Sequence, residues 1–110
     1  MGRNRIYYEY DLPYSAVRVV EAIIEDYPRR EAMIKNTQSP DNVKELMRIN
    51  GAIEECVGLF EPSLCAIVKE DIINRVCYER SRAAYISSRA MYYRRRKKFI
   101  HDVANALKLV

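Results

Sequence analysis

Ala16, Val17, Val20, Ile23, Ile24 and Tyr27 recur every three or four positions, with Arg18, Glu21 and Glu25 between them. That period predicts an amphipathic helix entered through Leu12-Pro13-Tyr14, with Ser15 as its N-cap. Pro28 would clash with the preceding turn if the helix ran on. The first helix is therefore expected to end near Asp26, and a short second one to start at Pro28 and reach about Lys35. Ser39-Pro40-Asp41 places a capping residue before a proline and predicts the start of a long third helix. Its apolar seam is Val43, Leu46, Met47, Ile53, Val57 and Phe60, interrupted by Asn50. Asn50 has two readings: a polar residue that sets pairing register, or a solvated or locally bonded amide beside Gly51. Glu61-Pro62-Ser63 breaks the pattern. Leu64, Cys65, Val68, Ile72, Ile73 and Val76 then predict a more deeply buried helix ending near Cys77. There is no alternating run, no Asn-Gly or Asp-Gly hairpin signal and no internal repeat, so no sheet is assigned.

Beyond Tyr78 the pattern divides in two. Arg80 to Ile86 reads as a short helical stretch. Ser87 or Ser88 can cap a following helix of roughly 20 residues, whose apolar stripe is Met91, Tyr92, Phe99, Val103 and Leu107. Two helices meeting at a capped turn suit a helix-turn-helix, whose second helix enters the major groove by its first turns. The expected class is thus all-α: a small helical bundle with a carboxy-terminal helix-turn-helix. Residues 1–110 form a single domain, with residues 1–77 as helical body and 78–110 as the helix-turn-helix segment.

Charge sharpens this picture. The net charge is +4 over 110 residues. Residues 1–74 hold 9 basic and 13 acidic side chains, whereas residues 75–98 hold 9 basic and one acidic. A local cluster of Arg and Lys is what attracts a polyanion, and nucleic acid is the first to consider. Ser88, Arg89, Tyr92 and Tyr93 lie at the groove end of the expected recognition helix. An exposed Arg can bond guanine at two positions, a tyrosine can meet a phosphate or a thymine methyl, and Arg94 to Lys98 supply charge along the backbone. Consecutive basic residues point all round a helix, so some must be solvated, and Arg95 or Arg96 can lay its stem over the core. A solvated helix face is the plain alternative for the whole run. RNA is a further one, since tyrosines beside arginines also stack bases.

Ile86-Ser87-Ser88-Arg89-Ala90-Met91-Tyr92-Tyr93-Arg94-Arg95-Arg96-Lys97-Lys98-Phe99-Ile100, followed by Val103-Ala104 and Leu107, resembles the carboxy-terminal helix-turn-helix of phage late-gene transcriptional regulators of the ArpU and RinA type. These are similar in turn to region 4 of sigma factors. Val20-Glu21-Ala22-Ile23-Ile24 and Tyr27-Pro28-Arg29-Arg30 are loosely similar to the first helix of such regulators. The resemblance implies a cytoplasmic, phage- or prophage-encoded protein of the bacterial host cell. Double-stranded DNA would be its partner at a promoter, beside RNA polymerase, and the acidic body would serve dimerisation or contact with the transcription machinery. Ser88, Arg89, Tyr92, Tyr93 and Arg96 correspond to groove or phosphate contacts. Arg82, Arg94, Lys97 and Lys98 complete the expected DNA-binding set. Glu79 to Tyr85 is shorter and more basic than the family's scaffold helix.

Other chemistry is thinly represented. His101 is the single histidine, and Asp102 beside it diverges by about 100° on a helix, so the two are not a catalytic pair. Gly2, Gly51 and Gly58 stand apart and form no phosphate loop. The expectation is a non-enzyme without cofactor or metal. Cys56, Cys65 and Cys77 lack metal or redox spacing and read as buried apolar thiols of a reducing cytoplasm. The longest uncharged stretch, Pro62 to Val68, is far too short for a membrane helix, and the amino terminus carries neither a signal core nor a lipidation motif. Rival classes are a helical protein–protein adaptor and a phage assembly or DNA-packaging subunit.

Overall fold

The computed structural model describes residues 11–109, and the amino-terminal stretch just discussed lies outside them. Among the described residues five α-helices follow in order: α1 (Tyr14–Glu25), α2 (Tyr27–Asn36), α3 (Lys44–Leu59), α4 (Pro62–Asn74) and α5 (Arg89–Ala106). Short 3₁₀ turns occupy Pro40–Val43, Tyr78–Arg80 and Arg82–Tyr85, and no strand occurs among the described residues.

Helix boundaries follow local chemistry. Ser15 does not cap α1. The helix starts one residue earlier, and the Pro13 carbonyl accepts from the amides of Ala16 (2.9 Å) and Val17 (3.0 Å). Asp26 separates α1 from α2, with Pro28 in the first turn of α2, where its missing N–H costs nothing. The Asp26 carboxylate accepts from Arg29 Nε at 2.7 Å, and that bond holds its pKa below the ordinary carboxylate range. Ser39 also makes no side-chain cap, and Pro40 opens a 3₁₀ turn rather than the long helix, which begins only at Lys44. Both ends of α4 carry left-handed backbone: Glu61 (φ 45°) before it and Arg75 (φ 55°) after it. At the second, the Val76 amide reaches back to the Asp71 carbonyl at 2.8 Å and closes the last turn. The helix thus ends at Asn74, short of the predicted Cys77.

The core is one cluster. Val20 and Ile24 of α1, Ile53 and Cys56 of α3, Leu64, Val68 and Ile72 of α4, and Tyr92, Phe99 and Val103 of α5 meet in it. Helix α5 packs on α1, α3 and α4 and is the central element of the bundle. Phe99 is almost wholly buried, so Phe99→Ala would cost about 3–5 kcal/mol and break the docking of α5. Met47 and Phe60, placed in the α3 seam by periodicity, are about half exposed instead.

Helix α2 buries only Arg30, with Tyr27 packed against the core, and is tied down by polar groups. Arg30 is buried, and its Nε donates to Asn50 Oδ1 at 2.6 Å. Asn50 Nδ2 donates in turn to the Tyr27 carbonyl at 3.2 Å, and a further Arg30 nitrogen donates to the Ile23 carbonyl. Asn50 is therefore neither solvated nor locally bonded; it fastens α3 to the α1–α2 corner. The molecule is elongated, 55 × 31 × 23 Å.

Candidate nucleic-acid interface

The segment from Tyr78 to Ser88 is not an α-helix. It consists of two 3₁₀ turns with Ser81 between them, so the expected helix-turn-helix lacks a regular first helix. What shapes it is a buried carboxylate. Asp71 of α4 accepts hydrogen bonds from Ser81 Oγ and from Tyr92 OH (2.7 Å), and all three side chains are buried. Ser81 Oγ also accepts the Ala83 amide at 3.0 Å and so caps the second turn. Tyr78 OH donates to the Ser87 carbonyl, Ala83 is fully buried, and the Ile86 and Ser87 amides return to the Ala83 carbonyl at 3.0 and 2.9 Å. The residues of this segment use their backbone groups on one another rather than on a regular helix.

Of the two predicted caps for α5, Ser88 is the one used. Its Oγ accepts the Met91 amide at 3.2 Å, while Ser87 Oγ donates to the Ser88 carbonyl. Beyond the cap, the predicted contact residues separate. Tyr92 is completely buried, its hydroxyl committed to Asp71, and cannot meet DNA in this fold. Burial and the Asp71 bond push its pKa up. Tyr93 is half-buried, with its ring edge-on to Tyr92 (5.1 Å) and its hydroxyl accepting the Tyr78 amide at 3.5 Å. The Arg89 guanidinium covers that ring at 5.0 Å.

The basic run is also largely engaged within the protein. Arg95, 6% exposed, lays its guanidinium over the Phe60 ring at 4.2 Å and pairs with Glu61 at 3.0 Å. The expected covering of the core by an arginine stem thus falls to Arg95. Arg96 reaches Glu21 of α1 at 3.2 Å, in a pair about one-fifth exposed, so it is a body contact rather than a groove contact. Lys97 pairs with Asp11 and Lys98 with Asp102 (2.7 Å). Arg89 pairs with Glu79 at 3.1 Å while two-thirds of its side chain stays exposed. Glu21 and Glu25, which periodicity turned to solvent, face Arg96 and Arg75 respectively. Sequence separations of up to 86 residues, as between Asp11 and Lys97, hide such pairs from any one-dimensional reading.

Exposed arginines also flank the Ser88 cap in sequence. Arg80 and Arg82 on the 3₁₀ turns, Arg89 at the start of α5 and Arg94 five residues further along it are all exposed. Tyr85, at 91%, and Ile86, at 63%, project between them in sequence. Neither apolar residue stood out in the pattern, because a 3₁₀ turn has no 3.6-residue stripe to violate. A cleft of about 490 Å³ adjoins this end, lined by Glu61, Pro62, Leu64, Ile86, Ser88 and Met91. Among the described residues no group of three or more His, Cys, Asp or Glu side chains could hold a metal ion. Nor is any described helix long and apolar enough to cross a membrane. Cys56 and Cys65 are buried as expected, but Cys77 is exposed. No protein-family model, curated protein or solved structure matches the chain.

Proposed function

We propose that the protein binds double-stranded DNA through the exposed side chains of residues 79–94. The observation that carries this reading is that Arg80, Arg82, Arg89 and Arg94, on the two turns before the Ser88 cap and the first turns of α5 after it, are all exposed. Guanidinium groups supply phosphate contacts, and the amides at a helix start add their positive end. The contact set differs from the one read off periodicity. Arg80, Arg82, Arg89 and Arg94 carry it, whereas Lys97 and Lys98 pair within the protein and Tyr92 and Arg96 hold the fold together. The resemblance of residues 86–100 to phage late-gene regulators supports a promoter as the target, with a homodimer and RNA polymerase as further partners in a bacterial cytoplasm.

The test is a titration of a labelled duplex at several salt concentrations. Binding that weakens steeply with salt is expected. Arg82→Ala, Arg89→Ala and Arg94→Ala should each reduce affinity without altering the folded state. No binding at low salt would overturn the proposal.

A protein–protein adaptor is the second reading. Its support is the exposed Ile86 and Met91 that line the 490 Å³ cleft, with exposed Leu59 and Phe60 just before its Glu61 in sequence. Light scattering distinguishes a self-associating chain, and absence of salt-dependent DNA binding would favour this class.

A further inference from the structure

Tyr85 is the most exposed of the large apolar side chains among the described residues, at 91%. A tyrosine so placed on a loose loop would mean little, but this one stands on a turn fixed from several sides. Ala83, two residues before it, is fully buried, Ser81 is anchored to Asp71, and the amides of Ile86 and Ser87 close back on the Ala83 carbonyl. In a 3₁₀ turn, side chains three apart eclipse one another. Arg82 and Tyr85, the first and last residues of the turn Arg82–Tyr85, therefore lie on the same side of it. Arg89 follows four residues later with most of its side chain in water.

An exposed aromatic ring on a turn held by Ser81 and Ala83, with Arg82 three residues before it and Arg89 four after it in sequence, suits a flat ring flanked by phosphates. We propose that Tyr85 stacks on a nucleobase, making the preferred target a DNA duplex that contains an unpaired base. A base inside a continuous duplex has both faces covered by its neighbours and offers no platform to Tyr85; an unpaired one does. Ile86, 63% exposed beside it, supplies an apolar edge against the adjoining step. This inference rests on the DNA-binding reading above and adds to it a residue and a target class.

Fluorescence anisotropy on three labelled probes tests it: a perfect duplex, the same duplex with a one-nucleotide bulge, and the single strand. The wild-type chain should favour the bulged duplex over the perfect one by about 5- to 100-fold, the range that loss of one base–aromatic stack produces. Tyr85→Ala should abolish that preference while leaving affinity for the perfect duplex unchanged, and Tyr85→Phe should retain it. Arg82→Ala should weaken the perfect and the bulged duplex alike. Equal wild-type affinity for the two duplexes, or a preference that survives Tyr85→Ala, overturns the stacking role and leaves the basic face standing as a DNA contact. Failure to bind any probe at low salt overturns both.

Discussion

Replacing Tyr92 by phenylalanine isolates one hydrogen bond at the centre of the fold. The ring is fully buried, so its packing is kept, and only the hydroxyl, 2.7 Å from Asp71 Oδ2, is removed. A hydrogen bond to a charged acceptor contributes about 1.5–3 kcal/mol. Asp71 keeps its Ser81 partner, and a weaker 3.4 Å contact from Arg96 to the same hydroxyl is lost as well. A loss of about 2 kcal/mol is therefore expected. A domain of this size has roughly 5–15 kcal/mol of total stability, so the variant stays folded. Its urea midpoint should fall without a change in the slope of the transition, and its melting temperature should drop by roughly 10 °C. A double-mutant cycle with Asp71→Asn should return a coupling above about 1 kcal/mol, because the two groups share the bond. DNA affinity of the folded variant should equal that of the wild type. A stability loss below about 0.5 kcal/mol together with weakened DNA binding would refute the buried anchor and return Tyr92 to the interface.

Three further outcomes follow from buried groups. Burial, reinforced by Asp71, raises the Tyr92 pKa above its ordinary 10.0; burial with Glu54 raises that of Tyr27; and burial, with Asp102 and Glu55 nearby, pushes the Cys56 thiol up to about 11. Each favours the protonated form in the folded state, so this stability is fully present below the unfolded values of 9.0 for the thiol and 10.0 for the tyrosines. It is lost as pH rises above them, and urea midpoints should decline from pH 9 upwards, less steeply in Tyr92→Phe; a flat profile would contradict this. A thiol reagent should label Cys77 alone in the native protein, with Cys56 and Cys65 reacting only on unfolding, and prompt labelling of all three would show an open core. Asn50→Ala strips Arg30 Nε and the Tyr27 carbonyl of their partner, and should cost about 1–3 kcal/mol by urea denaturation; a change near zero would show that the α2 corner is held by something else.

The main helices were legible because their burial is a matter of period. Val20 and Ile24, or Phe99, Val103 and Leu107, recur on one face and lie in the core as that recurrence requires. Pro28 and Pro62 marked two boundaries for equally local reasons. The segment before α5 was not legible, since its form depends on Asp71, ten residues before Ser81 and 21 before Tyr92. Nothing within Glu79–Tyr85 announces that dependence. The candidate site failed in the same manner. Arg96 was expected at a groove or phosphate, whereas it pairs with Glu21, 75 residues away in sequence. Tyr92 belonged at once to the apolar stripe and to the expected groove end, and its burial decides for the stripe.

The internal pairing of Arg89, Arg95, Arg96, Lys97 and Lys98 with carboxylates changes what a polyanion would gain from this helix. A lysine bathed in solvent takes the place of a cation condensed on the phosphate it meets, and the release of that cation is what makes binding salt-dependent. A lysine already held by aspartate must first surrender its carboxylate, which then needs a cation of its own. The same ionic strength that weakens attraction to DNA also loosens those internal pairs. Such a helix yields a shallower salt slope than its count of positive residues implies, and the shortfall measures how much of its charge the fold has already used.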